Sequence, residues 1–270
     1  MNTGTKTAGI STAVLKHIAI LCMFIDHFGF RVIGGYLSKN GIPAENSYPY
    51  MISREIGRIA FPIFCFLIAI GAVHTRSRLK YFISLVVFAL ISEIPFNLMD
   101  SLSIKHPSYQ NVFFTLALGL LLICAFDKLT LLCSEGKLNA NISSALFVIS
   151  FIVLCAAAFL LKSDYGFTGV ILIFMFYILR NDPYHAVLPG ILIMTLLNGA
   201  ECWLQTIYGY GYIPPLSDIT DKALSELPVV VSFLLITNYN GQKGRQLHKY
   251  FYYAFYPIHL LFLWMIRDIL

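Results

Sequence analysis

Long apolar runs, separated by short polar breaks, form the dominant pattern of the sequence. A run of roughly 20 apolar residues is long enough to cross a bilayer core as a helix. Such runs are too long for the strands of a membrane barrel. The pattern predicts an all-α, polytopic integral membrane protein with about nine transmembrane helices, and between eight and ten if the short sixth run is re-entrant. The predicted spans are 14–36, 56–73, 80–97, 111–127, 143–161, 167–180, 186–204, 223–238 and 250–266.

Composition agrees with this prediction, because 58% of the 270 residues are hydrophobic and only 12% are charged. A soluble domain carries about 25% charged residues. No internal repeat or low-complexity tract divides the chain, so we expect one domain over residues 1–270. The first run contains Lys16, His17, Asp26 and His27 and no small-residue cleavage site, so it is expected to be retained rather than removed as a signal peptide.

The distribution of lysine and arginine predicts the orientation. With the N-terminus in the cytoplasm, most of the 19 basic residues fall on the cytoplasmic side, among them Lys16, Lys243 and Lys249. The net charge of +5 then reflects anchoring loops, and no nucleic-acid partner is expected. The six cysteines are scattered without a CxxC pair, which predicts neither a disulfide framework nor a metal site.

An aspartate and a histidine, Asp26 and His27, lie side by side within the first apolar run. An aspartate at the centre of a membrane helix costs on the order of 2.5–3.5 kcal/mol, so it is normally kept beside a partner or a wet cavity. Arg54 and Arg58 are the expected partners, because their i,i+4 spacing places both on one helix face at the same membrane level. The alternative is structural: Asp26 neutralises an arginine, and His27 makes a packing contact.

Further polar groups are predicted at that same level. They are Glu93, Asn97, Asn111, Asp164, Tyr165, Glu201 and Gln205. Each one alone could cap a helix terminus, whereas together they suggest a polar cavity that opens outward. His259 follows Pro257 within the last run, so its imidazole is either a ligand-facing group or a partner for a backbone carbonyl that the proline frees.

The segment HTRSRLK, residues 74–80, is a dense cationic turn between the second and third predicted spans. It serves either as a topology anchor or as a grip for an anionic, phosphate-bearing ligand.

In this order, several segments resemble the TraX family of membrane proteins: LKHIAILCMFIDH, REIGRIAFPIFCFLIAIGAVHTRSRLKY, SEIPFNLM, NVFFTLALGLL, DYGFTGV and YAFYPIHLL. The resemblance extends from about Leu15 to Leu263. TraX proteins are associated with acetylation of the N-terminus of conjugative pilin. A first helix ending in histidine, an apolar second helix and a basic turn are also similar to the broader transmembrane acyltransferases.

The resemblance implies an acetyltransferase that uses acetyl-CoA as co-substrate and an acceptor peptide, such as pilin, or a small molecule. His27 would be the general base and Asp26 the group that orients it or balances its charge. Groups that would serve the acceptor or the oxyanion are Arg54, Arg58, Asn97, Asn111, Asp164, Tyr165 and His259. Groups that would hold the CoA phosphates are Arg76, Arg78 and Lys80.

Two other classes of function stay open. In a small ion- or proton-coupled transporter, intramembrane His, Asp and Arg side chains form a conduction path, although no pair of Gly- or Pro-broken helices occurs in matching halves of this sequence. A non-catalytic assembly factor for a pilus is the second alternative.

Overall fold

A computed structural model describes residues 9–104 and 109–267 of the chain, and this part is built from helices, as the sequence predicts. Two isolated β-bridges join Ile10 to Tyr239 and Gln110 to Ser163. The helices of the first half are α1 (Thr12–Phe28), α2 (Gly34–Lys39), α3 (Tyr48–Arg58), α4 (Ala60–His74), α5 (Arg78–Ser101) and α6 (Val112–Ser134). Those of the second half are α7 (Ala140–Leu160), α8 (Gly166–Ile178), α9 (Val187–Leu192), α10 (Asn198–Tyr210), α11 (Ser217–Ser225), α12 (Val229–Thr237) and α13 (Lys249–Ile266).

Six helical segments of the described residues are long and apolar enough to span a membrane, so the expectation of about nine spans is not confirmed. The six are Thr12–Lys39, Tyr48–His74, Arg78–Ser101, Val112–Ser134, Ala140–Leu160 and Val187–Tyr210. Three predicted spans are missing from these six. The last of them, 250–266, forms α13, which has 18 residues but carries Lys249 and four tyrosines in its first half. The other two form short helices. At 1.5 Å per residue, α8 with 13 residues and α12 with 9 residues measure about 20 Å and about 14 Å, less than the bilayer core of about 30 Å.

Capping residues decide where several helices begin. The Ser47 side chain accepts a hydrogen bond from the backbone N–H of Tyr50, and Pro49 occupies the first turn, so α3 starts eight residues before the predicted span at 56. Ser77 caps α5 and Asn111 caps α6 in the same way. Arg54 and Arg58 therefore lie on a regular helix rather than at its frayed beginning.

One hydrophobic cluster contains buried side chains from α1, α4, α5, α6, α8, α12 and α13. Close approach at glycines brings its helices together: Gly119 of α6 faces Ile173 of α8, and Gly169 of α8 faces Thr115 and Phe61. By contrast, α7 leaves most of its apolar side chains exposed, which suits a helix that contacts lipid.

Two π-helical turns interrupt the spans. Residues Gly29–Ile33 link α1 to α2, and Ile193–Leu197 link α9 to α10. Such turns occur frequently at functional sites, and both lie immediately before or after residues that line the chamber described next.

Candidate active site

Two cavities enter the helical body from opposite ends. The larger, about 600 Å³ in volume, lies where the N-termini of α1, α5 and α13 meet the C-terminus of α4; we call it the basic cavity. The smaller, about 310 Å³, lies toward the C-termini of α1 and α5 and the N-terminus of α8; we call it the chamber. Both are lined by the same four side chains, the neck: Met23, Phe64, Val112 and Tyr256. The two cavities therefore adjoin at this neck, whose four side chains form part of the wall of each.

The basic cavity takes its name from its cationic wall. Its charged lining residues are Lys16, Arg76, Lys80, Lys243 and Lys249, and no carboxylate occurs among its described lining residues. Five tyrosines also line it: Tyr81, Tyr239, Tyr252, Tyr253 and, at the neck, Tyr256. Positive charges gathered without acidic neighbours repel one another, so this wall favours an anionic ligand. The tyrosine rings add faces on which an aromatic part of that ligand can stack.

The ion pair predicted for Asp26 is present. Arg54 Nη1 lies 2.8 Å from Asp26 Oδ1, and its guanidinium lies 5.3 Å from the centre of the Phe30 ring. Both charged groups line the chamber and are mostly shielded from solvent, with 28% and 20% of their side-chain surface exposed. Gly57 makes this pair possible, because a Cβ at that position would collide with the Asp26 carboxylate.

Arg58 also faces the chamber, but its acidic partner comes from a distant part of the chain. Its Nη1 lies 3.2 Å from Oε1 of Glu226, which is fully buried. Lys222, one turn before Glu226, donates to the same oxygen at 2.6 Å. Sequence analysis missed Lys222 and Glu226, because nothing in their segment indicates that it meets Arg58 of α3.

The two histidines predicted within apolar runs, His27 and His259, meet beside the chamber. Nδ1 of His27 lies 2.7 Å from Nε2 of His259, and the two rings are nearly parallel, with an interplanar angle of 11°. Nδ1 of His259 lies 2.7 Å from the carbonyl oxygen of Phe255. His27 lines the chamber, whereas His259 is buried behind it and only 3% exposed.

This geometry bears on the two roles that the resemblance implied for Asp26, orienting His27 or balancing its charge. The hydrogen bond of the His27 imidazole goes to His259, and the Asp26 carboxylate pairs with Arg54. Adjacent helix residues point in different directions, so the two side chains meet different neighbours. Asp26 lies beside His27 as a nearby charge, and the group that hydrogen-bonds the imidazole is His259.

Asp164 and Tyr165 line the opposite wall of the chamber. Asp164 accepts a hydrogen bond from the Tyr109 hydroxyl at 2.6 Å, and the Tyr165 ring stacks on Phe61 with 3.6 Å between centroids. Burial raises the pKa of Asp164, while the hydrogen bond from Tyr109 acts in the opposite direction. Tyr165 adopts a left-handed backbone conformation, φ 58°, immediately before α8, which turns its ring onto Phe61.

Glu201, one of the polar residues noted in the sequence, has a structural role in the chamber wall. It is 2% exposed and accepts hydrogen bonds at 2.9 Å from the backbone N–H groups of Phe167 and Thr168, and at 2.6 Å from the Thr168 hydroxyl. A carboxylate that receives the free N–H groups of a helix start caps that helix and complements its dipole. Glu201 thus fixes α8 against α10.

Two asparagines proposed from the sequence as oxyanion groups lie outside the chamber wall. Asn111 caps α6 and donates to Glu93 Oε2 at 2.5 Å and to the Ala89 carbonyl at 2.9 Å. Asn97 donates to the carbonyl of Ile104 at 3.2 Å. Asn111 thus takes the capping role that the sequence left open, whereas Asn97 joins α5 to the loop that follows it and its Oδ1 has no hydrogen-bond partner among the described residues.

The basic turn divides into two parts. Arg76 and Lys80, two of the three residues predicted to hold the CoA phosphates, line the basic cavity, and both are exposed. Arg78 does not line the basic cavity; its Nη1 pairs with Asp127 Oδ2 at 2.5 Å, and its Nε donates to the Ala72 carbonyl at 2.9 Å. Tyr177 donates to the same carboxylate oxygen of Asp127 at 2.6 Å. Arg78 thus ties α5 to α4 and α6, and Tyr177 joins α8 to the same carboxylate.

Three cationic residues of the basic cavity, Lys16, Lys243 and Lys249, were not among the phosphate-binding candidates. The available signal was their predicted location on the same membrane side as the HTRSRLK turn. Charge counting places residues on a side of the membrane, but it does not show which of them meet.

Comparison with known proteins agrees with the resemblance in the sequence. The family model described as TraX protein matches residues 11–267. A relative from Dichelobacter nodosus, "Probable fimbrial assembly protein FimC, serogroup H1", is 26% identical over 273 aligned residues, covering 96% of each chain. No solved structure matches.

Proposed function

The chain belongs to the TraX family, and from that premise we propose that it is a membrane-embedded acetyltransferase that transfers an acetyl group from acetyl-CoA to an amine. The observation that carries the proposal is the arrangement of the two cavities: a cationic cavity without described carboxylates adjoins, at the neck, a chamber lined by His27. A donor with a polyanionic end, a slender linker and a reactive thioester matches these three zones in order.

The basic cavity suits the nucleotide end of acetyl-CoA. Its volume of about 600 Å³ lies within the 300–1,000 Å³ typical of small-molecule sites. Arg76 offers a planar guanidinium for bidentate phosphate contact, and Lys80, Lys243 and Lys249 offer mobile point charges. The tyrosines of the wall provide faces on which an adenine could stack. Arg78 is excluded from this role by its pairing with Asp127.

The chamber suits the transfer step. The neutral acceptor amine attacks the thioester carbonyl carbon, the imidazole of His27 removes a proton from the amine nitrogen, and CoA leaves as the thiol or thiolate when the carbon–sulfur bond breaks. Arg54 and Arg58 put guanidinium groups in the chamber wall where negative charge develops on the carbonyl oxygen. Both arginines carry acidic partners, which hold them in place in the apolar surroundings.

The direction of acetyl transfer follows from the positive charge of the basic cavity, which the chamber at the opposite end of the helical body does not share. By the positive-inside rule, the basic cavity faces the cytoplasm, the compartment that supplies acetyl-CoA, and the chamber lies nearer the outer face of the inner membrane. The acetyl group would then reach an acceptor at the outer side without release of CoA there. The TraX resemblance makes a peptide N-terminus such as that of pilin the first acceptor to test, and the name of the Dichelobacter nodosus relative makes fimbrial subunits a second.

An assembly factor without catalytic activity is the second candidate, because the name of that relative describes assembly and no reaction. The two functions differ in whether covalent transfer depends on His27. The test uses the purified protein in lipid nanodiscs with acetyl-labelled CoA and a short peptide that has a free α-amine. The same peptide with a blocked N-terminus measures background hydrolysis.

The matched pair of variants is His27→Gln and His185→Gln. His185 is exposed, pairs with Asp182 at 2.6 Å and lines neither cavity. We expect label on the free-amine peptide with wild type and His185→Gln, and a loss of at least about 100-fold with His27→Gln, within the range of a general base. Equal labelling by the His27 variant would remove the proposed base. The absence of labelling by wild type would favour the assembly factor or a transporter.

A further inference from the structure

The hydrogen bond between His27 and His259 determines which ring nitrogen of His27 can act as the base. We propose that His259 is a positioning residue that holds His27 in the tautomer with the proton on Nδ1, so that Nε2 of His27 is the atom that accepts the proton of the acceptor. The proposal rests on the acetyltransferase function proposed above. It assigns the basic atom, and it assigns a role to a buried histidine that does not line the chamber.

The assignment begins at the backbone. A carbonyl oxygen only accepts hydrogen bonds, so Nδ1 of His259, 2.7 Å from the Phe255 oxygen, must carry the proton of this bond. A neutral imidazole has one N–H and one lone pair, which leaves Nε2 of His259 as an acceptor. Nδ1 of His27, 2.7 Å from that nitrogen, is then the donor. The lone pair of neutral His27 is therefore on Nε2.

The surroundings of His259 hold this chain of hydrogen bonds in place. Its ring stacks on Phe255, with 4.9 Å between centroids, and meets the edge of Tyr256 at 5.7 Å and Phe24 at 6.2 Å. The fixed aromatic contacts oppose rotation of the ring away from His27. A carbonyl of the same helix, four residues earlier, accepts its proton, so the tautomer of His259 is set by the backbone of α13 itself.

The pair can also share the proton that catalysis delivers. When Nε2 of His27 takes a proton from the amine, His27 becomes an imidazolium that still donates from Nδ1 to His259. If the Nδ1 proton moves along this hydrogen bond to Nε2 of His259, His27 returns to neutrality with its proton on Nε2, and the charge rests on His259, which then donates to both Phe255 and His27. One proton enters and none is lost. No metal, oxidant or further co-reactant is involved.

The test combines a spectrum with kinetics. Protein labelled with ¹⁵N-histidine reports which ring nitrogen bears the proton, since protonated and unprotonated nitrogens have separate shifts, and the His27→Gln spectrum assigns the His27 signals. His74 is an internal reference, because its Nδ1 lies 2.9 Å from the Ile70 carbonyl, the same four-residue contact that His259 makes. The variants are His259→Gln, whose amide oxygen can still accept from His27, and His259→Leu, which cannot.

We expect wild-type His27 to be protonated on Nδ1 and unprotonated on Nε2. His259→Gln should keep this tautomer and a kcat within about tenfold of wild type. His259→Leu should lose the tautomer and about 100-fold or more in kcat, with the KM for acetyl-CoA and the His74 signals unchanged. A wild-type His27 protonated on Nε2 would overturn the proposal, as would equal kcat values for the Gln and Leu variants. The expected tautomers without acetyl transfer by wild type would support the assignment and refute the acetyltransferase function.

Discussion

Replacement of Gly57 by alanine tests the contact on which the chamber depends. Gly57 is buried on α3, where it faces the Asp26 carboxylate of α1. One turn earlier, Ser53 of α3 faces Gly29 in a reciprocal arrangement. The two helices therefore cross at small residues, which let the backbones approach closely. An alanine Cβ at 57 would fall far inside normal van der Waals distance of three atoms of Asp26.

The expected loss of stability and activity in Gly57→Ala depends on how little the Asp26 side chain can move. Asp26 is a short side chain, and one of the atoms in collision is its own Cβ, so rotation of the side chain cannot relieve the overlap. The helices must separate by about 1 Å, a displacement that can lower catalysis by about 10²-fold when it moves catalytic groups. Overpacking of this kind typically lowers the free energy of unfolding by about 1–3 kcal/mol, against a gain of about 0.5–1 kcal/mol from replacing a helical glycine by alanine.

The matched control is Gly35→Ala on α2, where no described atom lies within 4 Å of the new Cβ. This variant should keep the gain in helix propensity without the collision. Unfolding free energies from SDS titration in mixed micelles and rates of peptide acetylation in nanodiscs are measured for both variants. We expect Gly57→Ala to be less stable than Gly35→Ala and about 10²-fold less active. If the two variants match in stability and activity, the close contact between Gly57 and Asp26 does not exist in the protein.

Three further outcomes are expected. Arg76→Gln should raise the KM for acetyl-CoA about tenfold and leave kcat unchanged. The variant removes one charged contact, which is worth about 1.5–3 kcal/mol when buried and less at this exposed position. An equal rise in the KM for the peptide would argue against phosphate binding. Arg78→Gln should leave the KM for acetyl-CoA unchanged and lower the free energy of unfolding by about 1–2 kcal/mol, because Asp127 loses its cation. Initial rates measure the KM, and SDS titration measures the stability. Glu201→Gln should lower the free energy of unfolding by about 1–3 kcal/mol. The reason is that an amide NH₂ group replaces one of the two oxygens that accept hydrogen bonds from the start of α8. An unchanged midpoint in the SDS titration would contradict the capping role.

The sequence alone was sufficient for properties that depend on local chemistry. The all-helical membrane character follows from the length of the apolar runs, since each run must satisfy its own backbone in lipid. The pairing of Asp26 with Arg54 was predicted because a charge in an apolar run requires a partner and an arginine lay at the same level one span later. The TraX membership could likewise be inferred from motifs that extend along nearly the whole chain.

Tertiary packing decided which residues from distant segments come into contact. His27 and His259 are 232 positions apart, and nothing in either segment specifies the other, because their contact depends on how α13 packs against α1 and α5. The same reason explains why Arg78 pairs with Asp127 while Arg76 lines the basic cavity: the two alternate along one basic turn, and only the positions of α6 and α8 distinguish them. The cost of a charge in lipid is a local quantity that a sequence displays, whereas the choice of partner and the shape of a cavity are set by the packing of the whole helical body.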